Sequence, residues 1–122
     1  MSTLFTRRAM TALLALPTLF AARRTKAHTA LLSTLGDQRA AAMVGHLALD
    51  AAPIWGDSDA IADEIWNRLG MDRAADAAAI RARLSSIIRD DFAAERTLRL
   101  DGWLVAETEA RLCALAALTA QT

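Results

Sequence analysis

The chain has 122 residues, with 14 basic and 14 acidic residues and a formal net charge of zero. That balance hides an asymmetry, because five basic residues and no acidic residue lie in positions 1–27. The remaining part therefore has nine arginines against 14 acidic residues, a net charge of −5. This charge argues against nucleic-acid binding, which needs a basic face to neutralise phosphates, and a single cysteine, Cys113, excludes a disulfide within one chain.

The first 27 residues have the pattern of an export signal. Arg7 and Arg8 are adjacent, and an apolar run over residues 9–22 follows them. The run is too short to span about 30 Å of hydrocarbon as a helix, and Pro17 interrupts it. The arginine pair is typical of the twin-arginine route. It predicts recognition of residues 1–27 by the twin-arginine translocase and delivery of the protein to the periplasm.

Small residues near position 27 predict cleavage of this signal after Ala27. Three alternatives to the twin-arginine interpretation stay open: general secretion, an uncleaved anchor and a mitochondrial transit peptide. The remainder, residues 28–122, is long enough for one small domain.

Apolar spacing predicts three helices in the first two thirds of this domain. The first covers residues 28–52, and its apolar stripe comprises Leu31, Leu32, Leu35, Met43, Leu47 and Leu49. A break at Gly36 and Asp37, which would separate its first turns, stays open. The second covers residues 59–69, capped by Asp57 or Ser58 and ended by Gly70. The third runs from position 72 or 76 to 92 or 95. We expect its inward face to hold Ile80, Leu84, Ile87 or Ile88, and Phe92. The charged residues expected on its solvent face are Arg81, Arg83, Arg89, Asp90 and Asp91.

A β-hairpin is predicted over residues 97–105. Asp101 and Gly102 separate two short apolar runs, and both central residues of a type I′ turn need positive φ, which Asp and Gly tolerate. A last helix is predicted from position 107 or 108 to Ala120, in which Cys113 is buried. The predicted fold class is all-α: a single domain of about four helices with one short hairpin.

The hairpin and the last helix also carry the best candidates for a partner interface. Trp103 fits two interpretations, burial in the core and exposure as a binding hot spot, since tryptophan and arginine are enriched among hot spots. The predicted apolar anchors are Trp103, Leu104 and Leu112, with Arg96 and Arg111 as a polar rim.

No haem, nucleotide or iron–sulfur motif is present in the sequence, so no catalytic residue and no cofactor is predicted, and the protein is not expected to be an enzyme.

A copper site is the one metal hypothesis. Met43 and His46 are three residues apart on a predicted helix, and thioether and imidazole suit copper. Cleavage after Ala27 would add His28, whose amino group and ring can chelate together. The opposing interpretation places Met43 in the core and both histidines at helix or chain ends.

Several residues in the last third form a pattern: Asp91-Phe92, Arg96, Gly102-Trp103-Leu104 and residues 108–115. This segment resembles small twin-arginine-exported proteobacterial proteins that accompany larger exported dehydrogenases. The pattern often has a serine where this chain has Ala106. Without that serine, the chain lacks the capping box that the serine would form with Glu109 at the start of the last helix. The resemblance implies no catalytic residues.

These observations predict an accessory subunit that binds a larger periplasmic dehydrogenase and supplies its twin-arginine signal. The alternatives are a periplasmic copper-binding or copper-handling protein and a free-standing periplasmic structural protein.

Overall fold

The computed structural model describes residues 28–120. Residues 28–32 are helical, and four longer helices, a 3₁₀ turn and one antiparallel hairpin follow. In chain order these are α1 (Gln38–Ala51), the 3₁₀ turn (Pro53–Trp55), α2 (Ser58–Leu69), α3 (Ala77–Ala93), β1 (Thr97–Leu100), β2 (Trp103–Ala106) and α4 (Glu107–Ala120). The predicted fold class, a small helical domain with a hairpin, is confirmed. None of the helices described here is long and apolar enough to cross a membrane.

The last helix, α4, is the centre of the fold. It contacts all three other helices and both strands, and most of its residues from Thr108 to Ala117 are buried. From Leu112 to Leu118 the helix is apolar around its whole circumference, and a helix of this kind is buried. Cys113 belongs to this buried set, as predicted.

Small residues allow α1 to approach α4 closely. The buried face of α1 consists of Ala41, Gly45 and Ala48. A Cβ atom built at Gly45 would lie 1.9 Å from the carbonyl oxygen of Cys113, so the two backbones touch at this point. The helix packs through its smallest side chains.

This packing corrects the predicted apolar stripe of the first helix. Residues 33–37 separate the first turns from α1, which is the break at Gly36 and Asp37 that the sequence left open, and Asp37 caps the N-terminus of α1 by accepting a hydrogen bond from the Ala40 amide at 3.0 Å. Met43 and Leu47 are exposed, because the 3.6-residue period from Ala41 through Gly45 to Ala48 turns them away from α4.

The boundaries of α2 follow the prediction. Asp57 accepts a hydrogen bond from the Asp59 amide at 2.9 Å, and Gly70 ends the helix with a left-handed φ of 62°. In α3, Ile80, Leu84 and Ile87 face inward as expected.

The end of α3 differs from its prediction. Asp91, predicted to face solvent, is fully buried, and Phe92, predicted to be buried, is exposed. The reason is that Asp91 forms polar contacts with the start of α4, and these orient the last turn of α3.

The hairpin has the predicted turn. Asp101 and Gly102 have φ values of 49° and 84°, both in the left-handed region that the turn requires. Leu100 pairs with Trp103, and Arg99 pairs with Leu104.

Candidate interaction surface

The tip of the hairpin carries two large exposed apolar side chains. Trp103 is 76% exposed and Leu104 is 52% exposed. Of the two interpretations of Trp103, the structure selects exposure; Trp66, by contrast, is buried and Trp55 is half-buried. Successive side chains of a strand point to opposite faces, so Trp103 and Leu104 project from the two sides of the hairpin. A partner that contacts both must enclose the tip rather than lie flat against one face.

The base of the hairpin is tied to two helices through the backbone of Arg96. Its N–H donates to the carbonyl oxygen of Asp91 at 2.8 Å, and its carbonyl oxygen accepts from the N–H of Glu107 at 3.0 Å. The first bond links the strand entrance to the end of α3, and the second links it to the first residue of α4. An isolated two-stranded hairpin is only marginally stable, so these bonds and the burial of Leu100 hold Trp103 in a defined position.

The buried carboxylate of Asp91 completes this junction. Its Oδ2 accepts a hydrogen bond from the backbone N–H of Thr108 at 2.9 Å, and its Oδ1 accepts one from Nε of Arg96 at 3.0 Å. Thr108 is the second residue of α4, so its N–H is one of the free donors at the helix start. Normally the side chain of the residue before the helix accepts such a hydrogen bond. Asp91 therefore supplies, from a distant part of the chain, the cap that Ala106 cannot provide.

The pKa of Asp91 shows the balance of forces at this junction. Burial by itself raises the pKa of a carboxyl group. Hydrogen bonds from Thr108 and Arg96, together with the charge of Arg68, outweigh burial and lower the pKa of Asp91 below its usual value. The carboxylate is therefore charged at neutral pH.

Arg68 connects α2 to the same junction. Its Nη1 donates to the hydroxyl of Thr108 at 3.0 Å, and its Nη2 donates to Oε1 of Glu107 at 3.1 Å. Its Nε donates to Oε1 of Glu64, one turn earlier on α2, at 3.0 Å. All three guanidinium nitrogens thus have partners, and one arginine joins α2 to the start of α4.

The two arginines predicted as a polar rim have different surroundings. The side chain of Arg96 is 46% exposed, whereas that of Arg111 is only 14% exposed. Arg111 forms an ion pair with Glu107 and lies over the ring of Trp55, with its Cζ 4.6 Å from the ring centroid. Arg96 is available to a partner, while Arg111 mainly holds the 3₁₀ turn against α4.

Leu112 is a correction to the predicted interface. It is only 3% exposed and belongs to the hydrophobic core. Its place on α4 explains this, because α4 is covered on nearly all sides. The apolar anchors at this end of the molecule are Trp103 and Leu104. Ile54 and Phe92 are also exposed. Each is next in sequence to a residue that contacts the first turns of α4: Trp55 lies against Arg111, and Asp91 accepts a hydrogen bond from Thr108.

The residues of the copper hypothesis lie on different elements. Met43 and His46 share the exposed face of α1, as their spacing predicts. Nε2 of His28, however, lies 3.2 Å from Oδ1 of Asp59 on α2. Residues 28–120 contain no group of three or more His, Cys, Asp or Glu side chains that could hold a metal ion. The arginine pair of the predicted export signal, Arg7 and Arg8, lies outside the described residues.

Comparisons of the chain with protein-family models, curated proteins and solved structures found no match.

The junction of Asp91, Arg68 and Thr108 is the part of this surface that sequence reasoning missed. One signal pointed to it: a helix start without a capping side chain at Ala106, preceded by an unusual density of charged residues.

Proposed function

We propose that this protein is a periplasmic accessory subunit that binds a larger exported oxidoreductase, a dehydrogenase, and supplies its twin-arginine export signal. The observation that carries the proposal is the exposure of Trp103 on a hairpin whose base is bonded to α3 and α4. Burying a large aromatic side chain contributes strongly to binding, and a held position lowers the entropy lost on association.

The proposal joins two independent features of the chain. Residues 1–27 have the pattern of an export signal that serves folded cargo, and the exposed hairpin tip offers a surface for that cargo. The partner would contact the two sides of the tip through an apolar cleft that receives Trp103 and Leu104. Arg96, half-exposed beside the tip, would pair with an acidic group at the rim of that cleft.

Affinity purification from the periplasm tests the proposed surface. The full chain carries a C-terminal tag, and co-purifying proteins are identified by mass spectrometry and assayed for dehydrogenase activity with an artificial electron acceptor. We expect Trp103→Ala to weaken the complex by at least about 30-fold, the effect of losing a hot spot of 2 kcal/mol. Its melting temperature should stay near that of the parent, since truncation of an exposed side chain changes stability little.

Met43→Ala is the matched control, because it truncates another strongly exposed apolar side chain on a different element, α1. It should leave the complex intact. Retention of the dehydrogenase by folded Trp103→Ala would refute the proposed surface. Absence of any oxidoreductase from the parent sample would refute the proposed function.

A further inference from the structure

An open cleft of about 360 Å³ lies beside the junction, between the ends of α2 and α3. Three arginines and two aspartates contribute to its wall. The lining residues are Arg68, Arg83, Ile87, Asp90, Asp91 and Arg96. This concentration of arginine contrasts with the net negative charge of residues 28–122.

Arg83 and Arg96 are both held by their Nε atoms. Nε of Arg83 donates to the carbonyl oxygen of Leu69, at the end of α2, at 3.2 Å. Nε of Arg96 donates to Oδ1 of the buried Asp91 at 3.0 Å. An arginine bonded in this way keeps both Nη groups, and therefore four N–H donors, for a further ligand. Within residues 28–120 these Nη groups have no other hydrogen-bond partner or ion pair.

The charges around the cleft leave these donors available. All three guanidinium nitrogens of Arg68 already donate hydrogen bonds, to Glu64, Glu107 and Thr108. Arg68 therefore lines the cleft without offering a free nitrogen to a ligand. The charge of Asp91 is offset by Arg96 and by Arg68, whose Nη1 lies 3.7 Å from its Oδ1. Asp90 lines the cleft but forms no ion pair within 4.0 Å in the described part of the chain.

We propose that this cleft binds an oxyanion, a carboxylate or phosphate group, between the Nη groups of Arg83 and Arg96. A planar guanidinium matches the spacing of two oxygens on such a group and forms paired charge-assisted hydrogen bonds. Because both guanidinium groups are already held by their Nε atoms, less side-chain entropy is lost when the ligand binds. The site shares Arg96 with the proposed partner surface, but its test uses the isolated chain, so its outcome does not depend on the accessory function.

Nuclear magnetic resonance of the purified full chain, labelled with ¹⁵N-arginine, tests the site. Inorganic phosphate and acetate are titrated separately at constant ionic strength. The Nε–Hε signals of Arg83 and Arg96 should move in a saturable manner, while that of Arg89, exposed on α3 outside the cleft, should not. Tighter binding of phosphate would identify a phosphate ligand. Equal or tighter binding of acetate would identify a carboxylate, from a small acid or an acidic side chain.

Two substitutions of Arg83 distinguish a built site from general charge attraction. Arg83→Gln should weaken binding about tenfold, as expected for the loss of a charge-assisted pair. Arg83→Lys should also weaken it, because lysine keeps the charge but loses the fork of donors. Arg89→Gln is the matched control, with the same charge change on the same helix, and should bind as the parent does.

Three results would overturn the proposal. The first is shifts that do not saturate with either anion, and the second is shifts of similar size at all arginines. The third is equal binding by the parent and a folded Arg83→Lys variant. The melting temperature of each variant is measured beforehand, and Arg83→Lys replaces Arg83→Gln if the glutamine variant does not fold.

Discussion

Replacing Gly45 with alanine should force the two most closely packed helices apart. The added Cβ would lie 1.9 Å from the oxygen and 2.5 Å from the carbon of the Cys113 carbonyl group, and 2.9 Å from Cβ of Ala117. Ordinary contact begins near 3.4 Å. The helices α1 and α4 must therefore separate locally by about 1.5 Å, since the clashing atoms are backbone and cannot rotate away, and dispersion contacts fall steeply over such distances.

The cost of this separation exceeds the gain from better helix propensity. Overpacking a core costs about 1–3 kcal/mol, and occasionally more. The backbone clash places Gly45→Ala at the upper end of that range. Alanine favours a helix over glycine by about 1 kcal/mol, so the free energy of unfolding should fall by about 2 kcal/mol. For a domain of this size the melting temperature should fall by roughly 8–16 °C.

Urea and thermal unfolding followed by circular dichroism measure this effect. Gly36→Ala is the control, because nothing lies within 4 Å of a Cβ at that position. Its stability should change by less than about 0.5 kcal/mol. Adding Ala117→Gly to Gly45→Ala should not restore stability, because it removes only the 2.9 Å contact, leaves the backbone clash and costs about 1 kcal/mol of helix propensity. A Gly45→Ala variant as stable as the parent would refute the close approach of α1 and α4.

Five further predictions concern the junction, the cysteine, the turn and the signal, and the first two are both on Asp91. Asp91→Ala should lower the free energy of unfolding by about 3 kcal/mol, because it leaves buried donors without an acceptor; an effect below 1 kcal/mol would contradict the capping role. Because folding lowers the pKa of Asp91, the charged carboxylate should stabilise the folded state at neutral pH. This stabilisation should be lost as the pH falls below about 4 towards the folded-state pKa. Equal acid sensitivity of the parent and an Asp91→Asn variant would disprove this. Burial, with a smaller effect of Glu109, raises the pKa of Cys113 to about 11. At pH 8 the buried thiol is therefore protonated, and a thiol reagent should modify it only as fast as the protein unfolds. Immediate labelling of the folded protein would exclude burial. Gly102→Val should cost roughly 1–3 kcal/mol because a β-branched residue is strained at positive φ, and an unchanged melting temperature would count against the turn. Replacing both Arg7 and Arg8 with lysine should retain the protein in the cytoplasm, because recognition needs guanidinium groups. Cell fractionation that finds normal periplasmic levels would favour general secretion.

Local signals predicted much of this fold. The caps at Asp57 and Gly70 and the Asp101-Gly102 turn depend on a few adjacent residues, and their positions were correct. Apolar periodicity also located the inward face of α3 up to Ile87. These features need no knowledge of distant parts of the chain.

Predictions failed where contacts between distant residues decide the structure. Met43 was placed in the apolar stripe of the first helix, but the close approach of α4 requires a small residue, Gly45, at the contact. Asp91 seemed a surface residue because it is charged. Its burial depends on Thr108 and Arg96, which the helical periodicity of α3 does not reveal.

The candidate surface was predicted in part. Trp103 and Leu104 are exposed, while Leu112 is buried, because the sequence does not show that α4 is enclosed on most sides. The arginine cleft was not predicted, because Arg83 and Arg96 lie on separate elements. Their common feature, an Nε atom held by an acceptor outside its own element, appears only in the folded chain.

The central position of α4 has a consequence for the order of events in the cell. This helix follows α1, α2, α3 and the hairpin in the chain, yet all of them pack against it. Until α4 has been made, the earlier elements lack the main apolar surface that they cover, and Asp91 has no helix start to cap. The domain therefore reaches its folded state only after residues 107–120 have left the ribosome, and a chain that stopped before position 107 would lack the centre of the core rather than an appendage.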